Sequence, residues 1–483
     1  MTTTYRPDID VAAALPSKNL PAVQVRDLPE PPLSFKRVIG PGLVMAGVGL
    51  ATGEFIIFPY IASQVGLVFL WAAVVGVVTQ FFINMEVERY TLATGETALT
   101  GFSRFGKHWG LFFGFTTFLA NMWPAWATGS ATLITYMFGG SVPVISVAIL
   151  VAVGVILTLA PVVYLALEKI EMVKVAAVAI LVLVASLAAI GATAWQDLPQ
   201  GVSGIAETGG VIDELGFATI LAALAFAGAG GGQNLCQSNW IRDKGFGMGA
   251  YIPRIVSPLT GKDEAVPGIG YVFEPTDENM TRWRRWWKLA NTEQALTFGL
   301  ITFVTITFMS LLSYATVFGR ENLPDDIGFL EVEGQVLAAE VGEWFQGLFW
   351  SIGALSLFAS AVGICDYVCR LNADMIKTTY LRDSSISESR IYFALVWALV
   401  ALGCVVLLIV GLSAPLVLAV IAACIGGMQM FIYSALLIRL NRKALAPQLR
   451  IRSYRLAALI WAFALFGVLS VFVVIDQYKE LMG

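Results

Sequence analysis

Long apolar runs decide what this chain can become. Eleven segments of roughly 20 or more mainly apolar residues fall near 39–63, 67–88, 110–138, 142–166, 171–194, 216–241, 289–318, 343–373, 389–411, 414–438 and 453–476. Each reaches the length a helix needs to cross a hydrocarbon core. Charged residues make up 13% of the chain, against about 25% in soluble domains. These observations predict an all-α polytopic membrane protein with eleven transmembrane helices, in contact with the lipid bilayer.

The placement of lysine and arginine orients the bundle, because both concentrate on the cytoplasmic side. The segment after the sixth run carries Arg242, Lys244, Arg254, Lys262, Arg282, Arg284, Arg285 and Lys288. The segment after the tenth carries Arg439, Arg442, Lys443, Arg450, Arg452 and Arg455. The connections between the fifth and sixth runs and near 64–66, 139–141 and 412–413 hold neither residue. With the N-terminus in the cytoplasm and the C-terminus outside a cell membrane, all of the 30 basic residues except Arg320 and Lys479 lie inside or at inner helix ends. Residues 1–36 are polar, Pro-rich and without an apolar core, and are expected to form a disordered cytoplasmic tail rather than a signal peptide. The stretch "TRWRRWWK" at 281–288 interleaves aromatic and basic residues. Lying just before the seventh run, it reads as a membrane-interface anchor and not as a nucleic-acid site.

Two of the runs are interrupted. "GVGLATGEFIIFPY" (47–60) places a glycine and Glu54 at mid-depth in the first. "AFAGAGGGQNLCQSNW" (225–240) places four glycines between Gly228 and Gly232 in the sixth, each costing about 1 kcal/mol of helix propensity. No strand precedes those glycines and their spacing is wrong for a dinucleotide loop. Close helix packing through small residues is one reading; an unwound midpoint is the other. The first and sixth runs each open a five-helix half, and matched interruptions of this kind mark a transporter site between inverted repeats. Backbone freed at mid-membrane is tolerated where it lines a cavity. An intramembrane carboxylate such as Glu54 is itself a functional-site hypothesis. The expected site comprises Ala51, Thr52, Gly53, Glu54, Gly228, Gly231, Gln233 and Asn234.

In these stretches the chain resembles the Nramp family of divalent-metal transporters. "GPGLVMAGVGLATGE" has the family's Gly-Pro opening and the same eight-residue gap to a four-residue motif. "ERYTLATGE" (88–96) is similar to the end of the family's second span, and "YLALEKIEMVK" to its connection between the fourth and fifth. The resemblance runs over residues 36–440 and implies a LeuT-type 5+5 inverted repeat with broken first and sixth helices. Repeats are then expected at 37–194 and 195–440, the latter with a cytoplasmic loop at 242–288, followed by an eleventh helix within 441–483. The motif residues differ. Where the family has Asp-Pro-Gly-Asn, this chain has Ala51, Thr52, Gly53 and Glu54; for Met-Pro-His it has Gly231, Gly232 and Gln233. Trp123 and Trp126 stand where the third span of the family carries two carboxylates.

Without thioether, thiolate or imidazole donors at the breaks, selection of Mn²⁺ or Fe²⁺ has no basis. Glu54, Gln233 and Asn234 form an all-oxygen metal set suited to a transported hard cation such as Mg²⁺, without proton coupling of the family kind. The alternative is a carrier of a small organic solute, an amino acid or organic acid, held by amides at Gly230–Asn234. No nucleophile–base constellation points to an enzyme, and no resident cofactor is expected. Asn121, Trp123 and Trp126 are candidates for lining the cavity, and Glu88 and Arg89 for an inner-gate salt bridge. Asp366 and Arg370, four apart on one helix face, are expected to form a structural ion pair. Glu168, Lys169, Glu171 and Lys174 read as solvated pairs at a cytoplasmic turn. The five cysteines, all in apolar segments, read as small hydrophobes, and His108 as a surface residue.

Overall fold

A computed structural model describes residues 15–257 and 266–482. Helix α1 (Pro41–Gly49) stops at Leu50, and the chain resumes through a π-helical stretch, Thr52–Ile57, into α2 (Phe58–Val65). Helix α3 (Trp71–Thr94) leads to the short α4 (Ala98–Phe105), whose first turn is capped by the Thr97 hydroxyl accepting from the Thr100 amide. Helices α5 (Trp109–Asn121) and α6 (Ala125–Phe138) are two pieces of one apolar run, divided at Pro124, which has no amide hydrogen to continue a helix. Then come α7 (Val142–Leu159) and α8 (Val163–Ala188), and the short α9 (Ala192–Asp197) and α10 (Gln200–Ser203). The second broken span pairs α11 (Thr208–Ala225) with α12 (Gly232–Lys244). Helix α13 (Asp277–Glu293) runs through π-helical Gln294–Leu300 into α14 (Ile301–Val317). The remainder is α15 (Phe329–Glu340), α16 (Glu343–Met375), α17 (Glu388–Val405), α18 (Pro415–Lys443) and α19 (Ser453–Met482).

Among the described residues, nine helices are long and apolar enough to cross a membrane by length and composition. The runs at 67–88 and 110–138 fall outside that group. Helix α3 carries Glu86, Glu88 and Arg89 within its 24 residues, and the third run is cut into pieces of 13 and 14 residues. The broken first span lies at the centre: 94% of its apolar window is buried in protein, against 33% for α7–α8 and α19, whose outward faces are apolar. Buried on all sides, a helix interruption there need not meet lipid.

Arg242, Lys244, Arg442 and Lys443 lie in the last turns of α12 and α18 and mark one end of the bundle as basic. Residues 15–36 lie against that end and are ordered there, contrary to the expected disorder; residues 1–14 and the basic Lys262 lie outside the described residues. Strand β1 (Gln24–Val25) pairs in parallel with β2 (Tyr271–Val272), and Leu15, Leu20, Val23 and Leu28 are buried. The Arg104 guanidinium donates to the carbonyls of Pro16 and Pro21, each at 3.0 Å. The tryptophans of "TRWRRWWK" likewise face protein: Trp283 and Trp286 are buried, and Trp286 donates to Pro29 O at 2.8 Å. Their spacing on α13 turns them toward the N-terminal segment, which the anchor reading did not anticipate.

Candidate functional site

The two interruptions meet backbone to backbone. A Cβ on Gly49 would stand 1.9 Å from Gly228 O, and one on Gly53 would stand 1.8 Å from Phe226 O. Both approaches require glycine. The first break is shorter than the sequence implied. Leu50 and Ala51 leave helical geometry, whereas Thr52, Gly53 and Glu54 already belong to the π-helical stretch. The second lies further toward the N-terminus, at Phe226–Gly231, because Gly228, Gly230 and Gly231 take positive φ (91°, 150° and 51°). Gln233 and Asn234 therefore sit in the first turn of α12, not in an uncoiled segment.

A narrow cleft of about 30 Å³ opens beside the breaks, lined by Gly49, Thr52, Gly53, Phe226 and Gln233 from the broken spans. Asn121, Trp123 and Trp126 line it from α5–α6 and the turn between them, Tyr367 from α16, and Ala419 and Ala422 from the first turns of α18. Its polar groups are neutral. Asn121 donates to Thr117 O at 2.9 Å and accepts from the Tyr367 hydroxyl at 3.0 Å, so it both braces α5 and faces the cleft. Gln233 donates to Met45 O at 2.8 Å. Two helices begin here, at Thr52 and at Gly232, and their first amides lack carbonyl partners within the helix.

The expected metal set does not assemble. Asn234 turns away from the cleft: its amide donates to Asn84 Oδ1 at 2.7 Å and its carbonyl accepts from the Tyr433 hydroxyl at 3.1 Å. Glu54 is wholly buried and is not among the cleft-lining residues. It faces Thr302 and Thr305 of α14 and lies within the field of Lys174. Neither of its carboxylate oxygens accepts a hydrogen bond. Among the described residues, no group of three or more His, Cys, Asp and Glu side chains is placed to hold a metal ion. The cysteines are unpaired thiols, three of them buried, and His108 is exposed with Nδ1 2.9 Å from the Tyr380 hydroxyl.

Toward the basic end, hydrogen bonds and ion pairs seal the space below the cleft. Gln237 donates to Gln294 at 2.9 Å, and Gln80 caps the end of α11 through the carbonyls of Leu224 and Ala225. Asp366 and Arg370 form the expected pair at 2.8 Å, inside a larger buried network. Arg370 also bonds Asp243, while Arg242 bonds Asp374 and reaches Glu388 at 3.0 Å. This joins α12 to α16 and α17. The Glu88–Arg89 gate is not formed: Arg89 pairs with Glu86 at 2.7 Å, one turn back on α3, and the Glu88 carboxylate has no hydrogen-bond partner.

The solvated turn expected at Glu168–Lys174 also divides. Glu168 pairs with Lys244 at 2.8 Å near the surface. Glu171 and Lys174 are buried, 3.1 Å apart, with Lys174 on Ser360 of α16. Because α8 begins at Val163, eight residues before the apolar run was expected to start, both charges lie about three turns inside the helix or close to it.

No protein-family model matches the sequence, and no curated protein matches it. Solved structures do match the fold. A variant of the Eremococcus coleocola manganese transporter aligns with a TM-score of 0.68 at 12% identity, covering 95% of this chain and 91% of that one. The same transporter bound to an aromatic bis-isothiourea substituted compound gives 0.66 at 10% identity, over 97% and 92%. MhsT in complex with L-phenylalanine gives 0.54 at 14% identity, over 89% and 98%. The fold is thus that of the LeuT-type bundles, all-α and broken in its first and sixth helices. Within that class its likeness to the Nramp-type manganese transporter extends over nearly the whole chain.

Proposed function

We propose that this chain is a secondary transporter that carries a small organic solute bearing a carboxylate, such as an amino acid or organic acid. One observation carries the reading. The cleft at the facing breaks is lined by neutral oxygens and nitrogens, aromatic rings and two helix beginnings, with no carboxylate, thioether or imidazole. Two helix N-termini favour an anionic group, and Trp123, Trp126 and Phe226 offer apolar walls for the rest of the solute. A hard divalent cation would need charged oxygens, and of Glu54, Gln233 and Asn234 only the neutral Gln233 lines the cleft. The likeness to MhsT, solved with an amino acid, is in keeping with this reading; the likeness to a manganese transporter is one of fold at 12% identity. At about 30 Å³ the cleft holds about two waters, so it widens at Trp123 and Phe226 to admit a solute. In the membrane the basic end faces the cytoplasm, and residues 37–194 and 195–440 form the two repeats that rock against each other.

A binding screen of the purified protein tests this. Thermal stability is followed with amino acids, organic acids, Mg²⁺ and Mn²⁺ in turn, and each hit is carried into liposome uptake. At least one carboxylate-bearing solute is expected to stabilise the protein and to be taken up, and Trp126→Ala to abolish both. Stabilisation and uptake of a divalent metal alone, lost in Glu54→Ala, would overturn the proposal.

A further inference from the structure

Helix α13 carries a row of side chains that the cleft does not use. Asn279, Arg282, Trp286 and Glu293 follow one another at spacings of three, four and seven, which places them along one face. Each holds backbone of the segment leading into α1. Asn279 Oδ1 accepts from Leu28 N at 3.1 Å, Arg282 donates to Leu28 O at 2.9 Å, and Trp286 donates to Pro29 O at 2.8 Å. Glu293, which is buried, reaches the first turn of α1 itself. Its Oε1 accepts from Gly40 N at 3.1 Å and from Gly42 N at 3.0 Å. A helix start leaves its leading amides without carbonyl partners inside the helix. Here Pro41 has no amide hydrogen, and Gly40, at the cap position, has no side chain to accept one. The cap therefore comes from α13. Glycine at 42 permits the approach, since a Cβ there would stand 2.7 Å from Glu293 Oε2.

We infer that Glu293 is a positioning residue for transport, the latch that holds the first half of the broken first span closed at the basic end. Helix α1 runs from this cap to the interruption at Leu50 and Ala51. It is a short rod with an unwound joint at one end and a side-chain fastening at the other. The fastening is two hydrogen bonds, and it crosses from residues 195–440 to residues 37–194, the two repeats that rock against each other under the proposed function. Breaking it frees the end of α1 that must move if the cleft is to open toward the basic side. That role rests on the transporter reading, and the readouts below are chosen to fail separately from it.

The test uses the full-length protein in liposomes, with Cys404 and Cys424 replaced and Thr52→Cys as the reporter, because Thr52 lines the cleft. Glu293→Ala and Glu293→Gln are compared with this parent; the amide oxygen of the second can still accept from both glycines. Hydrogen–deuterium exchange over residues 38–46 measures the cap. Reaction with an impermeant thiol reagent added on the basic side measures the opening. Glu293→Ala is expected to speed both by roughly 2- to 30-fold, the span that loss of a side-chain cap covers, and Glu293→Gln to stay close to the parent. Faster exchange without faster labelling would mean that the cap only steadies α1, and overturns the inference. A Glu293→Gln protein that behaves like Glu293→Ala overturns it as well. If Glu293→Ala does not fold, Glu293→Asp, one methylene shorter and drawn back from the two amides, is measured in its place against Glu293→Gln. Absence of uptake of every solute by the parent, with these responses intact, would count against the transporter reading and leave the latch in place.

Discussion

At the scale of single residues, the glycines at the two breaks are not interchangeable with glycines elsewhere. The added methyl of Gly53→Ala would meet Phe226 O at 1.8 Å, and a backbone carbonyl held at a helix end cannot turn aside as a side chain can. Gly209, at the start of α11, has nothing within 4 Å of the same position. Gly53→Ala should therefore cost about 1–3 kcal/mol through overpacking and abolish solute binding, with Gly209→Ala close to silent. Thermal unfolding and a solute-induced shift in Tm measure both; an unaffected Gly53→Ala would mean that the breaks are not in close contact. The sequence made these positions visible because glycine runs in a long apolar segment are costly and therefore conspicuous. It marked Glu54 for the same reason, yet could not say which way the side chain points. That direction depends on Thr302 and Thr305, about 250 residues away along the chain. Glu171 and Lys174 were misjudged because their charges blurred the start of α8. A run counted from its first uninterrupted apolar stretch begins too late whenever buried charges occupy the early turns.

At the scale of elements, the N-terminal segment shows how a polar stretch becomes ordered without a core of its own. It gains structure from donors already fixed at the basic end. Arg104 donates to two of its carbonyls, and Asn279 of α13 accepts from Leu28 N at 3.1 Å. Arg26 adds a stacked contact on the Tyr271 ring at 4.4 Å. Composition alone predicted disorder, since it cannot register partners supplied from α4 and α13. Arg104 itself is fixed by Glu96, at the turn after α3. Burial acts to raise the Glu96 carboxyl, but the charge and hydrogen bonds of Arg104, together with the Tyr90 hydroxyl and the Gly270 amide, outweigh it and hold the group below its usual range. A carboxylate depressed in the folded state adds stability above its unfolded value, near 4.3, and loses it as pH falls through the folded value. Glu96→Gln is accordingly expected to destabilise the protein by roughly 3–5 kcal/mol at pH 7, as when one partner of a buried pair is removed. The deficit relative to the unmodified protein should narrow only once the pH drops below about 4. Thermal unfolding of both proteins across that range decides it, and a deficit independent of pH would show that Glu96 acts through shape and not charge.

At the scale of the whole molecule, the two ends of the bundle differ in how they are closed. On the basic side the network is dense: Arg242 and Arg370 bind four carboxylates across α12, α16 and α17, Gln237 donates to Gln294, and Asn234 donates to Asn84. By contrast, Trp123 and Phe226 flank the cleft with no charged partner there, and neither is fully buried. Aromatic side chains that can swing aside are a lighter barrier than a network that must exchange several charge-assisted bonds together. On the proposed alternating-access reading, the cleft is expected to open first away from the basic end. A cysteine at position 52 reports on this, because Thr52 lines the cleft and is 8% exposed. In Thr52→Cys, with half-buried Cys404 and Cys424 replaced, a small membrane-impermeant thiol reagent is expected to react faster from the side opposite the basic end. Adding Arg242→Ala removes bonds to Asp374, Glu388 and Asp243 and should shift the population toward the other opening. A shift of 1.4 kcal/mol, less than one charge-assisted bond contributes, would already raise reaction from the basic side by about tenfold. Equal labelling from both sides in the parent, unchanged by Arg242→Ala, would mean that the network fastens helices together without controlling access. That outcome would leave the fold intact and remove the buried arginines from any part in alternating access.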